Sequence, residues 1–310
     1  MGISREQALE CFRSDDLVGI GMEADAVRRR LHPEDVVSYT LDHAIDCSEL
    51  RNAEIDAALR SIWTQVEKVL ASGGTGVELK NAGSTRGIEE IEALLTGIRR
   101  RYPHVWVHGF SAPEVLAIAD QCGLGLRETL ARLHAAGLDS MNGDGVDLVA
   151  TRATGSCDAT GWLKVHRTAH ELAMPTAAGM IFGAGETPEQ RVDFLEAVRE
   201  LQEETGGFTA FVPVGYEHPQ RELDGVTAVE RLKTLAISRM VLENIDNIQA
   251  SATGQGLKVL QMSLRFGGND AGAAGLGTEA ASEEDLRRII RDAGFKPVAR
   301  DATYRTMFLN

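Results

Sequence analysis

The groups in this chain that could do chemistry collect at the ends of short apolar runs. In GTGVELKN, Glu78 and Lys80 lie two residues apart, so in an extended strand they share a face opposite Val77 and Leu79. HVWVHGF repeats the pattern: Trp106, His108 and Phe110 alternate with Val105 and Val107. In NIQASAT, Gln249, Ser251 and Thr253 oppose Ile248 and Ala250, and Asn269-Asp270 closes RFGGND. An imidazole at a strand end is suited to general acid–base work, because its pKa is easily tuned near neutrality. A lysine beside it could form a Schiff base or hold a carboxylate or enolate, unless Glu78 simply neutralises it. Asp270, next to Asn269, could orient a sugar hydroxyl or take a proton. His108, Lys80 and Asp270 are therefore the candidate catalytic residues. Glu78, Gln249 and Ser251 are candidates for binding substrate.

Metal and cofactor signals are weak. The four cysteines stand at 11, 47, 122 and 157, too far apart for a CxxC zinc site or a local cluster motif. His166 and His170 in HRTAH lack the zincin glutamate and read as helix-surface histidines. Asp144 and Asp147 in NGDGVD resemble the start of a calcium loop but lack its later ligands. ASGGTG and RFGGNDAGAAGLG are glycine-rich without the GxGxxG placement of a dinucleotide site. No metal is expected, and no resident cofactor.

The elements that must position these residues alternate. Strands are predicted at Val36–Asp42, Gly74–Asn81, His104–Phe110, Gly137–Gly143, Pro175–Gly183, Gly207–Val214, Asn247–Thr253 and Gln261–Gly268. Helical periodicity marks the segments between nearly every pair of them, for example Ile55, Leu59, Ile62, Val66 and Leu70 within Arg51–Ala71. Strict alternation implies parallel pairing, and eight units predict an α/β fold of the (β/α)8 TIM-barrel type, with an open doubly wound sheet as the alternative. Residues 1–35 form an N-terminal helical extension in this reading. Residues 36–310 form one barrel domain with a C-terminal helix and tail. Active sites of such barrels lie at the C-terminal ends of the strands, where the candidate residues fall.

With 46 acidic against 32 basic residues, the net charge is −14, which argues against nucleic acid or an anionic membrane as the main partner. No apolar run reaches the roughly 18 residues needed to span a bilayer. The N-terminus, MGISREQALECFRSDD, opens into an amphipathic helix, so a cytoplasmic location is expected. The expected partner is a small-molecule substrate, with a homodimer left open.

The order of LVGIGMEADAVRRRLHPEDVVSY, HVWVHGFSAPEV, GLDSMNGDGVDLV, MIFGAGET, ELQEETGGFTAFVP, NIDNIQAS, RFGGNDAG and LRRIIRDAGFKPVARDATYR resembles one family. It is that of the radical-SAM enzymes of the futalosine route to menaquinone, the cyclic dehypoxanthine futalosine and aminofutalosine synthases. The resemblance runs from about residue 15 to 305 and implies a full barrel with substrate at its mouth. It also implies that His108-Gly-Phe110-Ser111, Thr209 in GFTAF, Gln249-Ala-Ser251 and Asn269-Asp270 line the substrate side. Such enzymes carry a CxxxCxxC loop after the first strand, whose three thiolates hold a [4Fe–4S] cluster that chelates S-adenosylmethionine. Here that loop is missing, and Cys47 falls where the family has a residue just before the first ligand. The family's Gly-Gly after strand two is replaced in LKNAGSTRG, its glutamate after strand four by the shorter Asp147, which is kept as a candidate substrate-binding residue, and a histidine after strand five by Ala184.

One thiolate cannot hold such a cluster, so neither [4Fe–4S] nor bound S-adenosylmethionine is expected. Without cluster, flavin motif or dinucleotide fingerprint, the chain has no electron source of its own. Three readings follow. The first is a cluster-free enzyme doing redox-neutral chemistry (elimination, cyclisation or carbon–carbon cleavage) on a nucleoside-like or polyhydroxylated carboxylic molecule. The second is a non-catalytic homologue that binds such a ligand or pairs with an active radical-SAM enzyme. The third is an enzyme that uses S-adenosylmethionine without a cluster.

Overall fold

The computed structural model describes residues 2–48, 55–80, 87–143, 146–149, 157–216, 226–252, 255–275 and 281–307. Two helices, α1 (Arg5–Arg13) and α2 (Leu17–Leu31), precede strands β1 (Val36–Thr40) and β2 (His43–Asp46). Then come α3 (Ile55–Ala71), β3 (Gly76–Lys80), α4 (Ile88–Arg101), β4 (Trp106–Gly109), α5 (Ala112–Cys122) and α6 (Leu126–Ala136). β5 (Ser140–Met141), β6 (Val146–Asp147), α7 (Ala159–Glu171), β7 (Thr176–Phe182), α8 (Pro188–Thr205) and β8 (Phe208–Gly215) follow. The chain continues through α9 (Ala228–Val241), β9 (Asn247–Ile248), α10 (Gly256–Arg265), β10 (Asp270–Ala273), α11 (Glu283–Asp292) and β11 (Lys296–Ala299).

Every pairing between these strands is parallel, and they group into eight staves. β1 and β2 are two halves of the first stave: β1 pairs with β10, and β2 pairs with β3. β5 and β6 are likewise two halves of the fourth, since Met141 pairs with Thr176 at the start of β7 and Asp147 with Ile181 near its end. A parallel bridge between Gln249 and Asp270 joins β9 to β10, so the ring closes. Each stave is followed by at least one helix, which makes this a (β/α)8 barrel.

The helices follow from local chemistry. Ser111 caps α5 by accepting from the Glu114 N–H, while Glu114 reaches back to the Ser111 N–H, a reciprocal capping box; Gly123 closes the same helix in the left-handed conformation. α2 packs on α9.

Two expectations change. Gln261–Arg265 is helix, not strand: Leu260, Ser263 and Leu264 form its buried stripe at helical spacing, and the eighth stave begins only at Asp270. His166 is not on the surface. It is fully buried in α7 beside Trp162, Val165 and Ala169, with its ring centroid 3.9 Å from that of Trp162. The C-terminal segment adds a further strand, since β11 pairs with β1 on the side away from β10.

Candidate active site

Strand alternation brings Glu78, Lys80, His108, Thr209, Gln249 and Ser251 to one cavity of about 740 Å³. That volume suits a metabolite-sized ligand. The register sets their levels along the staves: Glu78 pairs with His108, His108 with Ser140, and Asp46 with Lys80 at the strand ends. Glu78 Oε1 accepts from Asn142 Nδ2 at 3.1 Å, and Lys80 Nζ lies 3.6 Å from Glu78 Oε2. With 47% of its side chain exposed, Lys80 keeps room to meet a ligand. The His108 ring makes no hydrogen bond among the described residues. Burial pushes its imidazole below the ordinary value, against the opposing pull of Glu78 and Asp42. A ring held neutral in this way is a proton acceptor near pH 7. The hydroxyl of Thr209 donates to the Thr176 carbonyl at 3.2 Å.

Four expected residues do not reach the cavity. Asp270 is 0% exposed, and both its oxygens are taken. Oδ2 accepts from Arg300 Nε at 2.5 Å and Ser38 Oγ at 2.6 Å, and Oδ1 from Arg300 Nη2 at 3.1 Å and the Gly272 N–H at 2.9 Å. A carboxylate so engaged is neither a free base nor a sugar ligand; it holds Arg300. Asn269 Oδ1 accepts from Arg239 Nη2 at 2.6 Å and the Ile248 N–H at 2.8 Å, and its Nδ2 donates to Asn247 Oδ1, so it ties β9 to β10. Phe110 is fully buried with φ of 59°: alternation ends where β4 stops at Gly109, and the ring is carried out of the lumen series. Ser111 is committed to capping α5. The side chain of Asp147 and all of Asp144 and Thr253 lie outside the described residues.

The site also contains residues not expected from the sequence. Arg300, Ala302, Thr303 and Tyr304, all after β11, form one wall. The Arg300 guanidinium lies 3.7 Å from the Tyr304 ring centroid, and Gln249 Oε1 accepts from Tyr304 OH at 2.6 Å and Arg300 Nη2 at 3.3 Å. Burial works against the Arg300 charge, but Asp270 and its neighbours more than offset this and hold the pKa above the ordinary value. Asp42, Asn142 and Arg231 add to the polar lining, while Ile181, Val212, Pro213 and Val214 form an apolar side. Asp42 was within reach of sequence reasoning, because it ends the predicted first strand. The tail was not, since a barrel's chemistry is sought after its eight strands and these residues follow all of them.

A [4Fe–4S] cluster requires several thiolates converging on one point. All four cysteines lie among the described residues: Cys11 on α1, Cys47 just past β2, Cys122 ending α5 and Cys157 just before α7. Cys47 is fully buried, its Sγ donates to the Ile45 carbonyl at 3.6 Å, and burial pushes the thiol up to about 12. This donor set does not fit the cluster. Among the described residues no group of three His, Cys, Asp or Glu side chains could hold a metal ion, and no helix is long and apolar enough to cross a membrane.

Residues 205–309 match the family model described as CofH/MqnC C-terminal region. The chain is 30% identical to the cyclic dehypoxanthine futalosine synthase of Streptomyces coelicolor, over 99% of this chain and 86% of that one. It is 36% identical to the 5-amino-6-(D-ribitylamino)uracil--L-tyrosine 4-hydroxyphenyl transferase of Methanothermobacter thermautotrophicus, over 98% and 94%. Its fold is similar to the crystal structure of HydG, a maturase of the [FeFe]-hydrogenase, with a TM-score of 0.69 at 15% identity, over 98% of this chain and 74% of that one. Methylornithine synthase (PylB) gives a TM-score of 0.64 at 12% identity, over 96% and 94%. With barrel, cavity and relatives in agreement, the chain belongs to the futalosine-pathway radical-SAM family.

Proposed function

We propose that this protein is a cluster-free member of its family, an enzyme that transforms a nucleoside-like or polyhydroxylated carboxylic small molecule by proton transfer. Elimination, cyclisation and carbon–carbon cleavage next to a carbonyl are the reactions such a site serves. The observation that carries the reading is the convergence of His108, Glu78 and Lys80 in one cavity, in a chain whose cysteines do not fit a cluster. His108 is the base, its imidazole kept neutral by burial. Lys80, at the end of β3, holds a carboxylate or developing oxyanion, or forms an iminium with a carbonyl. Glu78 keeps Lys80 close, and Asn142 orients Glu78. Asp270 has no place in the chemistry; its part is to fix Arg300 in the wall.

The apolar side formed by Val212, Pro213 and Val214 suits a flat ring, and the polar residues suit hydroxyls. Relatives are named for cyclic dehypoxanthine futalosine and for 5-amino-6-(D-ribitylamino)uracil, both polyhydroxylated. Incubation with each, and with futalosine, followed by mass spectrometry, tests the reading. The expected product differs from its substrate by nothing, or by a neutral fragment, with no added reductant. Strict dependence on a reductant would overturn it. Borohydride trapping read by intact mass distinguishes an iminium at Lys80 from a purely electrostatic role.

A further inference from the structure

Two residues of the C-terminal tail fix the orientation of one amide in the cavity. Gln249 lines the cavity just past β9, and its Oε1 accepts from Tyr304 OH at 2.6 Å and Arg300 Nη2 at 3.3 Å. A guanidinium can only donate, so the end of the amide that meets Arg300 is the carbonyl. The other end, Nε2, makes no hydrogen bond among the described residues. Nor is it one of the buried side-chain atoms left without a partner, so it keeps accessible surface. β10 does not cover it: at Gly272 that stave has no side chain, and a Cβ there would stand 3.3 Å from Nε2.

The groups around this amide are turned to the protein. Arg300 gives Nε and Nη2 to Asp270 and Nη1 to the Asp301 carbonyl, and the Asp270 carboxylate matches its charge. Burial holds the Tyr304 phenol above its ordinary value, so its proton stays on Gln249 Oε1. The wall thus offers a ligand an amide N–H, beside an ion pair that carries no net charge. Its complement is a neutral acceptor.

The register tells which part of a ligand arrives there. Phe211 pairs with Ile248, and the Gln249 N–H donates to the Phe211 carbonyl, so Val212 and Gln249 are the next neighbours. Their staves lie about 4.8 Å apart. Both residues line the cavity, where Val212, Pro213 and Val214 make its apolar side. A flat ring lying on that side brings its edge to Nε2.

We propose that Gln249, its amide fixed by Arg300 and Tyr304, donates to a ring carbonyl of the substrate and so selects a keto ring over an amino ring. This rests on reading the cavity as a site for a nucleoside-like molecule. An exocyclic amino group at the same place would set donor against donor and leave both unpaired. Gln249 is then a specificity-determining residue, and Tyr304 a positioning residue that acts through it.

The test titrates two neutral nucleosides calorimetrically against the full-length protein. Inosine carries a carbonyl on its base where adenosine carries an amino group. The native protein should bind inosine on the order of 10–100-fold more tightly. In Gln249→Glu one oxygen still meets Arg300 and Tyr304 while the other replaces the donor with an acceptor, so the preference should reverse. Gln249→Leu should bind the two alike. Tyr304→Phe leaves the amide a single anchor and should shrink the preference; an unchanged ratio overturns the positioning role. Equal affinity of the native protein for both nucleosides, or a preference for adenosine, overturns this inference, needs no variant to fold, and leaves the cavity reading standing. An inosine preference that survives in Gln249→Leu does the same. Failure of the native protein to bind either nucleoside overturns both.

Discussion

His108 and Arg300 show two uses of a buried polar side chain. If His108 is the base, His108→Ala should lower turnover by about 10²–10⁴-fold without changing the melting temperature. Because its pKa is lowered, the neutral form is lost only below the ordinary histidine range. The kcat/KM profile of the native enzyme should be flat from about pH 7 upward and fall below about 6.5; a rise in activity on acidification would refute the assignment. Arg300 does a different job. Removing one partner of a buried ion pair strands the other, so Arg300→Met should cost about 3–5 kcal/mol in urea unfolding, partly recovered in Arg300→Met/Asp270→Leu. A loss under about 1 kcal/mol would show that Asp270 needs no such partner. At this scale the sequence told which side chains share a lumen face, since β3 obeys a period of two. It could not tell that Asp270 would be claimed by an arginine 30 residues further along the chain.

The elements were legible where their period was clear. α4 and α6 run from Ile88 to Arg101 and from Leu126 to Ala136, as their apolar spacing requires. The errors fell on short apolar segments, where the two periods are hardest to separate: Gln261–Arg265 looks like a strand until Leu260 and Leu264 are counted with it. Between α7 and β7, His166 Nδ1 and His170 Nε2 both lie on Thr176 Oγ1, at 2.9 and 2.8 Å, and His170 Nδ1 meets Thr205 Oγ1 at 2.7 Å. Burial lowers both imidazoles, that of His170 to about 4. Folded-state values below the unfolded one mean stability present above about pH 6.5 and lost as pH falls toward 4, because the unfolded chain takes up protons that the folded one refuses. Melting temperature should drop across that window. His170→Gln, which keeps a hydrogen-bonding group for Thr205, should flatten the drop by on the order of 1–3 kcal/mol. An unchanged pH slope would remove His170 as its cause.

For the whole molecule, the prediction concerns iron. Anaerobic reconstitution with iron and sulfide should leave the protein colourless, because its four cysteines lie apart, on α1, just past β2, at the end of α5 and just before α7. Stoichiometric iron and a broad visible absorption would refute the cluster-free reading. The barrel itself was evident from βα alternation, whereas its closing wall was not, because β11 and Tyr304 follow the eighth unit. That wall bears on synthesis. β1, made early, has one edge completed by β11, made more than 250 residues later. Until then the nascent chain carries an unpaired strand edge, the kind of surface that recruits other chains. Contacts so distant in sequence are also slow to form. A ribosome stalled before Lys296 should therefore hold a protease-sensitive chain that turns resistant only after the final strand emerges.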